Sequence, residues 1–281
     1  MVSDETFTPE FYNKLKTFKP MLKLRLAAGA NGGRKSNAKG SSVEFSDFRE
    51  YIPGDDIRRI DWNAYARFDR LFVKLFMEEK EGIFQIYLDA SASMDFGTPS
   101  KAVHAKRLAA ALSYCILDSS DRVILNVLKN DHIETFPSTA GKQGFSRITD
   151  TLSSVRFEGA NDLCSSIMRK DLKARGMSVI ISDLYTHDLE AVLKYLTFKK
   201  QEIMVLHVLS PEEISPEFHD TLNLIDSESS SELKVTAANS LYRDYKRTYE
   251  NHIRSLKAVC KKYGARYVLT PTDSDFTRIC S

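Results

Sequence analysis

The sequence has no paired cysteines, no histidine cluster, little net charge and no long apolar run, and each absence removes a class of function. Its four cysteines, Cys115, Cys164, Cys260 and Cys280, form no C-x-x-C pair, and two fall on the apolar faces of predicted helices. That pattern suits reduced core thiols in a cytosolic protein, not a disulfide scaffold or a zinc centre. Six scattered histidines contain no H-E-x-x-H and no pair at ligand spacing. A net charge of +2 over 281 residues supplies no global field for nucleic acid or an anionic membrane. Met1 to Thr6 lacks the basic and apolar regions of a signal peptide. The longest helical apolar stretch, around Leu108 to Leu117, falls short of the roughly 20 residues that a membrane span needs. The expectation is a soluble, cytoplasmic chain with no direct membrane span.

Nucleotide and nucleophile motifs are missing too. The glycine-rich stretch from Gly29 to Ser42 is not closed by Gly-Lys-Ser/Thr and follows no strand, so it is no Walker loop. Its Arg34, Lys35 and Lys39 read as a solvated basic connection, with no nucleic-acid partner expected. No serine lies in G-x-S-x-G, and the acid of Asp89-Ala90-Ser91 is not followed by a second acid as in aspartyl-phosphate phosphatases.

What stands out is Ile83-Phe84-Gln85-Ile86-Tyr87-Leu88-Asp89-Ala90-Ser91-Ala92-Ser93. A short apolar run of this kind reads as a buried central strand of an α/β sheet, and ligands bind such sheets at the carboxyl ends of the strands. Asp89, Ser91 and Ser93 then place three oxygens on one loop, which suits Mg²⁺ or another hard divalent cation. The alternative is that these residues only cap the helix that follows. A second apolar run, Met177 to Ser182, also ends in an acid, Asp183, and two acids at equivalent strand ends can converge on one cation.

The remaining chain alternates strand and helix. Pro9 to Ala28 has amphipathic helical spacing, and Leu71 to Met77 reads as a strand feeding the central one. Ala105, Leu108, Ala109, Leu112, Cys115 and Ile116 keep helical spacing. Arg122 to Leu128 and His132 to Phe136 read as a hairpin turned by Asn130-Asp131. Phe145 to Val155, Leu163 to Leu172 and Leu189 to Phe198 read as helices, Ile203 to Leu209 as a strand, and Leu222 to Ile225 with Leu233 to Val235 as a short hairpin. Leu241 to Cys260 is a long helix, and Tyr267 to Leu269 a last strand. Strands alternating with helices mean a mainly parallel sheet covered on both faces. Between Val43 and Arg67, acids and arginines are mixed with Phe45, Tyr51 and the only tryptophan, which suggests an ion-paired layer. There, Asp55 or Asp56 caps a short helix carrying Ile57, Ile60 and Trp62.

Gly40, Val43-Glu44-Phe45, Asp47, Arg49, Tyr51, Pro53-Gly54-Asp55-Asp56, Arg58, Ile60-Asp61-Trp62, Ala66-Arg67 and Val73-Lys74 run directly into Leu88-Asp89-Ala90-Ser91-Ala92-Ser93-Met94. In these residues the chain resembles the domain of unknown function 58 family, a branch of the von Willebrand factor A-like fold, from about Gly33 to Leu209. The resemblance implies an α/β, doubly wound sheet at 78–281 preceded by a family-specific extension at 1–77. It implies a metal-ion-dependent adhesion site in which Asp89, Ser91, Ser93 and Asp183 ligate Mg²⁺ or another divalent cation. The expected threonine ligand is replaced by Asn161, whose amide oxygen is still a competent ligand for a hard cation, so the site is damaged or retuned rather than plainly lost. Asp162 and Tyr185 are expected on the partner-binding rim, although Asp162 can equally cap a helix and Tyr185 can equally pack in its loop. The implied function is a non-enzymatic protein-interaction module, an adaptor between a MoxR-type AAA+ ATPase and client proteins. The alternative use of the same carboxylates is metal-dependent phosphoester hydrolysis.

Overall fold

Runs rich in β-branched and aliphatic residues alternate with helix-forming segments, and in the computed structural model most of these runs join one sheet. The structure describes residues 6–16, 43–78, 82–130, 132–137, 141–172, 175–185, 188–216, 221–225, 232–236 and 239–277. In chain order the elements are helix α1 (9–16), strand β1 (Val43–Glu50), α2 (Trp62–Phe68), β2 (Phe72–Glu78), β3 (Ile83–Asp89), α3 (Lys101–Asp118), β4 (Arg122–Lys129) and β5 (His132–Pro137). There follow α4 (Gly141–Ser154), α5 (Leu163–Met168), β6 (Gly176–Ser182), α6 (Leu189–Phe198), β7 (Gln201–Leu209), α7 (Pro211–Ile214), β8 (Thr221–Ile225), β9 (Glu232–Thr236), α8 (Asn239–Lys262) and β10 (Arg266–Pro271). The chain divides into two units, Arg25–Glu81 and a larger one made of Met1–Leu24 with Gly82–Ser281.

In the smaller unit β1 and β2 pair antiparallel as a separate two-stranded sheet, so the predicted strand at 71–77 does not join the central sheet. The mixed charges of this segment pair as the sequence suggests. Arg49 donates to Asp55 at 2.8 Å, Arg70 to Glu50 at 3.0 Å, and Lys74 lies 3.1 Å from Asp61. The single short helix expected here is two elements. Asp56 caps a 3₁₀ turn at Ile57–Arg59, Ile60 is extended and bridges to Val73, and Asp61 caps α2 by accepting from the backbone of Asn63 and Ala64.

The larger unit carries a six-stranded sheet in the order β10-β7-β6-β3-β4-β5, parallel except for the edge strand β5. Successive strand residues point to opposite faces. Tyr87, Ile180 and Val205 belong to a core with Leu163 and Ile167 of α5, Leu189, Val192, Leu193 and Leu196 of α6, and Leu256 and Cys260 of α8. The alternate residues Ile86, Leu88, Val179, Ile181 and Leu206 are also buried, as are Ala105, Leu108, Ala109, Leu112 and Ile116 of α3, which packs against β3, β4, β6 and β7. Helices therefore cover both faces, as the strand and helix alternation requires.

Helix α1 belongs with this unit, which moves the boundary expected at residue 77. The reason is apolar burial: Phe11 and Leu15 are buried, the Phe11 ring lies 5.3 Å from that of Phe276, and Lys14 lies 3.1 Å from Asp275. The predicted helix beyond residue 16 lies outside the described residues, as does the turn between β8 and β9, which pair as the expected hairpin. Cys115, Cys164 and Cys260 are buried, and Cys280 lies outside the described residues. Among the described residues no helix is long and apolar enough to cross a membrane.

Candidate functional site

The chain leaves β3, crosses to β4 on one side, and later returns to β6 on the other, so the order of connection reverses between β3 and β6. Such a switch point, at the carboxyl ends of the strands, is where open α/β sheets bind ligands. Leu88 pairs with Ile181 there, which brings the two acid-ended strands side by side. Asp89 and Asp183 are 5% and 2% exposed. Asp89 Oδ1 accepts from the Ser91 backbone N–H at 3.1 Å, and Oδ2 accepts from the Ser182 hydroxyl at 2.7 Å. The following loop is pinned by its backbone: Ala90 donates to Leu128, Ala92 to Gly159, and Glu158 to Ala90. The Ser91 and Ser93 hydroxyls share a hydrogen bond of 3.1 Å.

Asp183 is held by a cation. Lys101 Nζ, in the first turn of α3, donates to Asp183 Oδ2 at 3.0 Å and to Glu213 Oε1 at 2.6 Å, with its side chain 1% exposed. Glu213 is oriented by a capping box, in which its Oε2 accepts from the Ser210 N–H at 2.8 Å while the Ser210 hydroxyl accepts from the Glu213 N–H. The rings of Phe96 and Tyr185 lie 5.7 and 5.9 Å from the ammonium, and both are about half exposed, at 48% and 56%. Asp89 has no such cationic partner among the described residues. Burial, and then the neighbouring charge of Asp183, push its carboxyl up to about 6 against the hydrogen bonds from Ser182 and Ser91.

The other expected site residues divide. Asn161 reaches Asp89, donating through Nδ2 to Oδ1 at 3.4 Å, while its own oxygen accepts from Ser166. Asp162 caps α5, with Oδ1 accepting from the N–H groups of Cys164 and Ser165, which is the capping alternative. Tyr185 edges the rim and stacks on His252 at 5.8 Å. The oxygens of Asp89, Ser91 and Ser93 have the chemistry that a divalent cation wants. The arrangement of Asn161 and Asp183 does not fit one. Asn161 turns an N–H toward Asp89, Asp183 is engaged by Lys101, and an ion between them would face a buried ammonium. His207 beside them spends one ring nitrogen on the Asp183 backbone oxygen and the other on the Tyr267 hydroxyl.

Sequence reasoning missed Lys101, Glu213 and Phe96. A signal for the first existed: a lysine in the first turn of a helix opposes the macrodipole, so its placement needs a tertiary cause. The S-P-E-E run from Ser210 to Glu213 likewise announces a capping box. Gly97 beside Phe96 is another fixed point, with φ +88, and a Cβ added there would meet the Ser210 Cβ at 2.3 Å. Gly97→Ala is expected to destabilise the chain by about 2 kcal/mol or more, measured by urea unfolding, because both backbone strain and overpacking apply.

A doubly wound sheet in this order, with one antiparallel edge strand and Asp-x-Ser-x-Ser at its switch point, defines a von Willebrand factor A-like domain. The chain belongs to the family described as "Protein of unknown function DUF58", whose family model matches residues 47–255. It is 26% identical over 289 residues to the uncharacterized proteins Rv1480 of Mycobacterium tuberculosis and Mb1516 of Mycobacterium bovis, covering 98% of this chain and 89% of each relative. Among solved structures it is similar to the conserved hypothetical protein BatB of Bacteroides thetaiotaomicron, at 17% identity and a TM-score of 0.44, over 70% of this chain and 94% of that one. It is also similar to the SpRpn10 VWA domain, at 10% identity and a TM-score of 0.41, over 72% of this chain and 94% of that one. Family and fold together suggest a protein-interaction module.

Proposed function

We propose that the chain is a non-catalytic interaction module acting in the cytoplasm as an adaptor between a MoxR-type AAA+ ATPase and its client proteins, the role implied by the family resemblance. One observation carries the interaction reading: at the rim of the sheet, the half-exposed rings of Phe96 and Tyr185 flank a buried, mutually satisfied ion group. Aromatic anchors beside a desolvated polar centre are what protein interfaces enrich. The smaller unit supports the same reading. Its Ile57, Trp62 and Phe68 are large apolar side chains left 64%, 63% and 65% exposed.

The test is capture of the purified ATPase by the full chain. Phe96→Ser with Tyr185→Ser is expected to weaken binding by about tenfold or more, the loss typical of removing interface anchors. Trp62→Ser with Phe68→Ser serves as the contrast. Loss only in the second pair moves the interface to the smaller unit, and no loss in either pair removes the proposed surface.

A further inference from the structure

Lys101 is an unusual residue to find fully enclosed. A lysine side chain normally keeps its ammonium in water by snorkelling, yet this one is 1% exposed and sits in the first turn of α3, where the helix dipole opposes it. Its three donor directions are accounted for by what surrounds it. Asp183 Oδ2 lies at 3.0 Å, Glu213 Oε1 at 2.6 Å, and the remaining side is covered by the rings of Phe96 and Tyr185 at 5.7 and 5.9 Å, within cation–π range. Three elements meet on that one nitrogen: the start of α3, the residue after β6, and α7.

The bridge ties Asp183, one of the two acids that a metal would join, to Glu213. Asp183 faces an ammonium, and Asn161 gives Asp89 an N–H rather than an oxygen lone pair. We propose that the ammonium of Lys101 is the resident cation of this rim, in place of a divalent metal, so that the rim holds its shape and presents Phe96 and Tyr185 without one. A divalent ion binding Asp183 competes with an ammonium that already engages two carboxylates. The partner face is then aromatic and preformed, not an open coordination position awaiting a carboxylate. The inference concerns the ion and not the partner, so it stands or falls apart from the ATPase reading.

The experiment uses Mn²⁺ as a paramagnetic stand-in for Mg²⁺, titrated into the full chain while the free-ion electron paramagnetic resonance signal is followed. The wild-type chain is expected to show no saturable binding that Asp89→Ala removes, and the same melting midpoint in EDTA as in millimolar Mg²⁺. Lys101→Met frees Asp183 and Glu213 next to Asp89 and is expected to bind Mn²⁺ at least about tenfold tighter than the wild type, with the gain lost on adding Asp183→Asn. One equivalent of saturable Mn²⁺ on the wild type, abolished by Asp89→Ala, overturns the proposal. So does a folded Lys101→Met chain that gains no binding. If Lys101→Met does not fold, the wild-type comparison with Asp89→Ala decides alone.

Discussion

Replacing Lys101 by methionine is expected to lower the free energy of unfolding by about 4 kcal/mol near neutral pH, in the middle of the range that breaking a buried ion pair costs. Methionine keeps an unbranched apolar stem and ends one atom short, where the ammonium was, so most of the loss reports the charge. The change strands two carboxylates: Asp183 is 3% exposed at its side chain and Glu213 14%. An uncompensated buried charge costs far more than the pair itself contributes, and here Asp89 stands near enough to add repulsion. Since a domain is stable by only about 5–15 kcal/mol in total, poor yield of the single variant is part of the expected result. Adding Asp183→Asn and Glu213→Gln should recover most of the loss, because the neutral set buries no net charge. Urea unfolding of the single, double and triple variants measures this as a mutant cycle. A Lys101→Met chain within about 1 kcal/mol of the wild type would show that the ammonium carries no such burden.

Acid is expected to destabilise the chain between about pH 6.5 and 4, through groups that burial prevents from charging. Burial, then Arg107, holds His104 down to about 4 against the opposing pull of Asp273 and Asp275; its Nε2 is enclosed and has no hydrogen-bond partner among the described residues. Burial likewise holds His207 down to about 4. For each, the unfolded chain takes up a proton below about 6.5 that the folded chain refuses until about 4, so stability falls as pH falls through that window. The size is about 3 kcal/mol per histidine. Asp89 acts in the opposite sense. Its folded carboxyl titrates at about 6 instead of the ordinary 3.8, so the folded chain gains a proton first and stability rises by about 3 kcal/mol as pH drops from 6 to 4. The wild type should therefore lose about 3 kcal/mol net. Asp89→Asn removes the opposing contribution, so this variant should be more stable than the wild type above pH 6 and fall off more steeply in acid. Unfolding midpoints in denaturant at a series of pH values test both slopes, and equal slopes for the two chains would refute the account of Asp89.

The sequence made most of this architecture legible because its signals are local. The apolar runs at 83–89 and 177–182, the helical spacing from Ala105 to Ile116 and the turn at Asn130 each act over a few residues, so periodicity and turn chemistry report them directly. Less was legible in the segment from Val43 to Glu78. Its ion pairs could be anticipated from dense opposite charge, but its pairing into a separate two-stranded sheet depends on which strand finds which, a contact some thirty residues apart in the chain. The capping alternatives were decided the same way: Asp162 went to α5, while Asn161, its neighbour, turned to Asp89.

By itself the sequence determined the doubly wound class, the two acids at strand ends and the oxygen-rich loop between Asp89 and Ser93, since each follows from residue type and spacing along a few turns or strands. Only the tertiary structure decided what those acids face. Lys101 and Asp183 are 82 positions apart, and Lys101 and Glu213 are 112 apart. No local pattern encodes a contact at that separation. It exists because the sheet order sets β3, β6 and β7 side by side, and it leaves a buried ammonium on one of the two acids for which the linear pattern suggested a metal.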